Sequence, residues 1–290
     1  MPPYPSILAS NALLTSTSKR PLVAVLVGAT SGIGRLTLHA LVATGAPSRI
    51  YLIGRPSSAA ATASFLAELR ALNAHADIIW TEGEVSLLAE VRRICDAIKA
   101  KEDVVDLLLL TAGYAPFGKR RDTAEGMEVA GVLEYYGRVL FAGLLAGCLR
   151  RAEAGRVVSV LGGGLERLGA VEDVEDLGMR KEGAWSGFRA QKQYTMMNTL
   201  GFERLAEGEP GVAFVHAWPG LVSTGNLRRG HEEGSVAAWL TWAVEPLLGA
   251  LGTKGEGDCT PNAKMMAKVR ETGVQDKVWE HTQEVLKPYM

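Results

Sequence analysis

The stretch that most constrains this chain is Leu22-Val23-Ala24-Val25-Leu26-Val27-Gly28-Ala29-Thr30-Ser31-Gly32-Ile33-Gly34. Six apolar residues in a row suit a parallel strand buried on both faces, and Arg35-Leu36-Thr37-Leu38-His39-Ala40-Leu41 then resumes with helical spacing. A strand, a glycine turn and a helix in that order bring backbone N–H groups and the positive end of the helix dipole to a pyrophosphate, which larger side chains would obstruct. A tight strand-to-helix turn without a ligand would use the same glycines. Gly28, Thr30, Ser31, Gly32, Ile33 and Gly34 are therefore candidate cofactor contacts whose standing depends on the rest of the chain.

The rest repeats the pattern. Arg49-Ile50-Tyr51-Leu52-Ile53-Gly54-Arg55 reads as a second strand ending in a glycine and a cation. An acidic residue there would bond the ribose 2′-hydroxyl of NAD, whereas Arg pairs with the 2′-phosphate of NADP, so Arg55 favours NADP(H) over an ordinary exposed loop residue. A helix over 58–73, a strand at Asp77-Ile78-Ile79-Trp80 and an amphipathic helix over 86–100 follow. Val104 to Leu110 is a further buried strand that empties into Thr111-Ala112-Gly113. Residues 127–151 carry a long helical pattern, Gly155 to Gly164 a fifth strand with its catalytic-side loop, 188–207 a helix, and Gly211 to Gly220 a sixth strand stopped by proline. This alternation predicts a single α/β domain of Rossmann type, a doubly wound parallel sheet over 21–290.

Gly-Ala-Thr-Ser-Gly-Ile-Gly resembles the fingerprint Thr-Gly-x-x-x-Gly-x-Gly of the short-chain dehydrogenases/reductases, with Val27 in the place of the usual Thr. The resemblance runs over roughly residues 20–225. It implies that Glu84-Val85 stands where the family contacts adenine, a place that a helix-capping Glu explains nearly as well. It also implies that Ala112 and Gly113 border the cofactor. Pro219, Gly220, Val222 and Thr224 match the family's Pro-Gly-x-Val-x-Thr, which contacts the nicotinamide amide and the phosphates. A homo-oligomer built through the helices at 127–151 and 188–207 is a further implication, as is a weaker likeness to fungal relatives associated with secondary metabolism.

The pattern breaks at the catalytic positions. The family uses a Tyr as acid/base, a Lys four residues later that lowers its pKa and holds the ribose, a Ser on the substrate oxygen, and a supporting Asn. Aligned on Arg156-Val157-Val158, the Ser position falls on Gly162, with Ser159 too far back in the strand to replace it. Counted back from Tyr136-Gly137, the Asn position falls on Glu134. Phe188-Arg189-Ala190-Gln191-Lys192 matches Tyr-x-x-x-Lys with Phe188 at the Tyr position and Lys192 retained. A second register, counted from Leu200 and Glu203, selects Ser186 and Ala190 instead; both registers delete the phenol.

Function classes follow from these gains and losses. A formal charge of −1 without a basic run argues against nucleic acid, and the spacing of Cys95, Cys148 and Cys259 shows neither a metal site nor a disulfide framework, which suits a reducing cytoplasmic compartment. Residues 1–20 read as a mobile leader. Segment 163–187, rich in acids, and segment 225–260 read as insertions over the site; Glu245-Pro246 inside the apolar run 235–252 argues for a substrate-covering helix pair rather than a membrane span. Trp185, Phe188, Trp218, Trp239 and Trp242 suit a small hydrophobic substrate, though core packing would use them too. Three readings stand: an NADP(H)-dependent oxidoreductase acting on an iminium or conjugated electrophile, a non-redox cyclase, isomerase or dehydratase, and an inactive NADP(H)-binding protein.

Overall fold

The protein is described here from a computed structural model covering residues 20–114, 116, 118–162, 171–220, 222 and 263–290, with scattered positions before residue 20. The expected insertion at 225–260 and Thr224 lie outside the described residues, as do 163–170 and most of the expected leader. The chain runs β1 (Leu22–Val27), α1 (Gly32–Ala43), β2 (Ser48–Gly54), α2 (Ala59–Leu72), β3 (Ala76–Glu82), α3 (Leu88–Lys99) and β4 (Leu107–Leu110). A first turn at Val129–Gly131 and a π-helical turn at Val132–Tyr136 then lead into α4 (Gly137–Arg150). After these come β5 (Arg156–Val160), α5 (Gly187–Gly208), β6 (Ala213–Ala217), α6 (Ala263–Glu271) and α7 (Val274–Leu286).

The strands pair in parallel in the order β3-β2-β1-β4-β5-β6. The order reverses direction between β1 and β4, where Val27 pairs with Ile53 on one side and Leu110 on the other. Such a switch point leaves a crevice beyond the carboxyl ends of the strands. The apolar run of β1 divides by period two, as strand geometry requires. Val23, Val25 and Val27 pack with α3, α4, α5 and α7, while Ala24 and Leu26 pack with Leu38 and Val42 of α1 and Phe65 and Leu69 of α2. The sheet is thus the middle of three layers, which is why its strands carry no polar alternation.

Several boundaries differ from the sequence expectation for identifiable reasons. β4 begins at Leu107 rather than Val104, because the carboxylate of Asp106 accepts the Val23 N–H at 2.8 Å and pairs with Arg20 at 2.6 Å. The long helix expected over 127–151 is interrupted by the π-turn. α3 begins at Leu88, where Glu125, far along the chain, accepts the N–H groups of Leu88 at 2.7 Å and Ala89 at 2.9 Å. The acidic segment, described from Val171, is not simply laid over the surface. It buries Val171, Leu177 and Met179, and Arg120 donates to Gly178 O at 2.6 Å and Met179 O at 2.9 Å.

Among the described residues one stretch, Val129–Arg150, is long and apolar enough to cross a membrane, and it lies largely buried as a core helix. α7 covers part of the same face: Tyr135 Oη and Thr282 Oγ1 are 2.5 Å apart, and Tyr136 Oη and His281 Nε2 are 2.9 Å apart.

Candidate active site

The glycines of the first turn are demanded by backbone approach. Gly28 has φ +89°, and a Cβ there would stand 2.4 Å from Ala112 N and 2.7 Å from Ala112 Cα. At Gly34 a Cβ would stand 2.5 Å from Thr111 Oγ1 and 2.8 Å from Ala29 Cα, and Gly32 has φ +54°. Thr111 Oγ1 donates to Val27 O at 3.0 Å, so the tips of β1 and β4 are locked edge to edge. Thr30, Ser31 and Ile33 lie on this turn, and the first N–H groups of α1 have no acceptor within the helix. Beside it, Val27, Val85, Leu110, Ala112, Val132 and Arg138 border a small, mostly apolar cavity at the switch point.

Arg55 is exposed immediately after β2, and among the described residues its guanidinium has no partner. Gly54 before it is compelled to be small, since a Cβ would meet Trp80 Cη2 at 2.3 Å. Glu84 accepts from Ser86 Oγ at 2.9 Å and Ser86 N at 3.3 Å, the local capping geometry that competes with an adenine contact, while Val85 lines the cavity. Gly113 lies half-buried at the end of β4, Gly162 at the end of β5, and Pro219, Gly220 and exposed Val222 beyond β6. All these positions therefore share the carboxyl edge of the sheet.

The most unusual group there is Glu134, on the π-turn and 1% exposed. Its carboxyl accepts from Gln191 Nε2 at 3.0 Å, and the Tyr114 backbone N–H also favours its ionised form. Burial pushes its pKa up to about 8, against the pull of the Arg138 cation one turn later. Arg138 is itself buried, and burial lowers its pKa to about 10. Its guanidinium donates to Ser159 Oγ at 2.5 Å, so the fully buried Ser159 is engaged within the core. Arg138 escaped the sequence reading, although a lone cation inside the apolar run from Val132 to Leu149 was a signal that could have found it.

At the start of α5, Phe188 is 53% exposed. Lys192 is 8% exposed, with its ammonium on Glu172 Oε1 at 2.6 Å; the side chain that reaches Glu134 from this helix is Gln191. In the second register, Ser186 caps α5 by accepting from Arg189 N at 3.2 Å, and Ala190 is fully buried. Tyr194 is fully buried against Gly131, far from a role as replacement phenol, and burial raises its pKa strongly. Tyr114 is the tyrosine next to the site; Arg121 lies over its ring at 4.6 Å, and burial raises its pKa. His216 Nδ1 is 2.8 Å from Thr199 Oγ1, and burial lowers its pKa to about 4.

A six-stranded parallel sheet in this order with a glycine turn at the switch point defines a dinucleotide-binding α/β protein. The sequence pattern of the short chain dehydrogenases matches residues 22–163. The chain is 32% identical to the NmrA-like family domain-containing oxidoreductase notO of an Aspergillus species, over 90% of this chain and 88% of that one. It is 30% identical to oxidoreductase AN1596 of Emericella nidulans, over 97% of each. Among solved structures, a short-chain dehydrogenase from Sphingobium yanoikuyae in complex with NADPH has the same fold, with a TM-score of 0.54 at 17% identity, covering 72% of this chain and 74% of that one. The chain belongs to the short-chain dehydrogenase family, a family of oxidoreductases.

Proposed function

We propose that the protein is an NADP(H)-dependent reductase of a small hydrophobic substrate activated as an iminium ion or a conjugated alkene. The observation that carries this reading is the combination of a retained cradle with a missing phenol. The glycine turn, bare of side chains where the tips of β1 and β4 meet, suits the approach of a pyrophosphate, the half-buried Ala112 and Gly113 are small beside it, and Arg55 offers an exposed guanidinium for a 2′-phosphate. Phe188 stands where a proton donor for a ketone-derived alkoxide belongs.

NADPH, when bound, supplies a hydride. Addition of hydride to an iminium leaves a neutral amine and needs no proton, and addition to a conjugated alkene leaves an enolate whose carbon must be protonated. Glu134, with its pKa raised to about 8, holds that proton at neutral pH, in the place where the family keeps an amide. Tyr114 is the weaker candidate, because burial makes its phenol a poorer acid than usual. Lys192, whose ammonium lies on Glu172 Oε1 at 2.6 Å, would hold the ribose in place of that carboxylate. The likeness to the NADPH-bound short-chain dehydrogenase supports the cofactor, and the likeness to fungal oxidoreductases supports the reaction class.

The buried acid at Glu134 beside Arg138 favours one alternative, a non-redox isomerase, cyclase or dehydratase that moves a proton and keeps any nucleotide as a structural ligand. One experiment separates the two. The purified chain is offered NADPH with iminium, enone and ketone panels while nucleotide absorbance and substrate loss are both followed. Loss of absorbance with iminium or enone and not with ketone is the expected result. Substrate loss at constant absorbance overturns the redox reading, and a fast ketone reaction overturns the argument from the missing phenol. Phe188→Tyr is expected to introduce ketone reduction, and Lys192→Ala with full NADPH affinity would discard the register that aligns Phe188 with the family tyrosine.

A further inference from the structure

Arg138 is a second charge that this core had no need to contain. It is 3% exposed on α4, among apolar and small neighbours. Its Nε donates to Leu133 O at 2.9 Å, Nη1 to Ser159 Oγ at 2.5 Å and Val160 O at 2.9 Å, and Nη2 to Ala112 O at 2.7 Å. Those acceptors belong to the π-turn, to β5 and to the tip of β4. Ser159 Oγ in turn donates to Asn198 Oδ1 of α5 at 3.1 Å. A hydrocarbon side chain would fill the same volume without desolvating a guanidinium, so packing alone does not account for an Arg here. Strand-tip carbonyls that have left the ladder do need donors, and a planar group with five N–H bonds meets several of them at once.

We propose that Arg138 is a positioning residue that ties the tips of β4 and β5 and the π-turn into one rigid floor beneath the crevice, and so holds Glu134 at it. The functional sense of this inference rests on the crevice being the reaction site; its geometry does not. Glu134 Oε1 and Arg138 Nη2 converge on the same bare Cα, lying 3.4 Å and 3.6 Å from where a Gly113 Cβ would stand. The groups that act on Glu134 are few. Arg138 lowers its pKa from the same helix, Glu128 ahead of the π-turn raises it, Tyr114 brings a backbone N–H from beyond β4, and Gln191 brings a neutral amide from α5. Lys192, next along α5, is engaged by Glu172. Among these groups Arg138 is the cation, so it both anchors the turn and tempers the carboxyl.

The test uses the full chain with Arg138→Lys and Arg138→Met and needs no substrate. The protonated Glu134 carboxyl is followed by infrared spectroscopy against pH, with its band assigned by Glu134→Gln, and the tips of β4 and β5 are followed by hydrogen exchange of the Thr111 amide, which Val27 O accepts at 2.8 Å, and the Leu161 amide, which Ala217 O accepts at 3.1 Å. Arg138→Met is expected to move the Glu134 midpoint upward by about one pH unit or more. Arg138→Lys keeps the charge and loses the fork, so it is expected to leave the midpoint near wild type while the Thr111 and Leu161 amides exchange faster. Both readouts unchanged in folded Arg138→Lys would overturn the proposal, as would a lowered melting temperature alone, which any core residue can produce; Arg138→Lys decides if Arg138→Met fails to fold. Shifted readouts in a chain that oxidises NADPH with no compound would sink the redox reading and leave this inference standing.

Discussion

Glu134→Gln should make the protein more stable at neutral pH than wild type, and by an amount that vanishes in acid. The carboxyl is ionised readily in the unfolded chain, near 4.5, but resists ionisation in the fold until about pH 8, because burial outweighs the Arg138 cation and the N–H groups of Gln191 and Tyr114. The sign follows directly. Below about pH 4 both states hold the proton and the group contributes no pH dependence. Between the two values the unfolded chain has released the proton and the fold has not, so wild-type stability falls by about 1.4 kcal/mol for each pH unit gained. From about pH 5 to about pH 7 the loss is on the order of 3 kcal/mol, and above about pH 8 it levels off. An amide at this position does not titrate and keeps the same shape. Urea denaturation of both proteins at a series of pH values isolates the effect, because every other titrating group cancels in the difference. Parallel stability curves, with a gap constant to within about 0.5 kcal/mol across that range, would refute the claim that Glu134 is a neutral acid at physiological pH. The proton available for an enolate would go with it.

Other parts of the fold can be tested as simply. Gly28→Ala places a Cβ against the backbone of Ala112 at a positive φ, and should lower stability by about 2 kcal/mol or more and weaken NADPH binding, as read by denaturation and nucleotide fluorescence; an unchanged protein would mean that the β1 and β4 tips do not meet as described. Glu125→Ala removes the acceptor for the Leu88 and Ala89 N–H groups, and should cost about 1 kcal/mol with faster exchange of those two amides. Tyr194→Phe deletes a buried hydroxyl that has no partner among the described residues, and should raise the unfolding free energy by about 1 kcal/mol; a loss would show that the hydroxyl is hydrogen-bonded after all.

What the sequence made legible, and what it hid, divides along one physical line. β1, β2 and β4 could be read because burial on both faces turns them into continuous apolar runs, and the turn at Gly28–Gly34 because its glycines answer to contacts a few residues away or to a neighbouring strand tip. The chemistry-bearing part answers to partners that no local window contains. Glu134 was found by counting from Tyr136-Gly137, yet its environment is set by Gln191, 57 residues on, and by a guanidinium whose reach crosses from α4 to β4 and β5. The cap on α3 comes from Glu125, 37 residues beyond Leu88. The π-turn adds a further concealment, because one extra residue in a helical turn rotates every side chain after it while leaving the apolar count intact. Tyr135 and Tyr136 consequently both reach α7, through Thr282 and His281. A C-terminal helix that sequence marks only as a closing element is thereby bonded to the two residues that follow Glu134, so the spacing that singles out this carboxylate says nothing of what holds it.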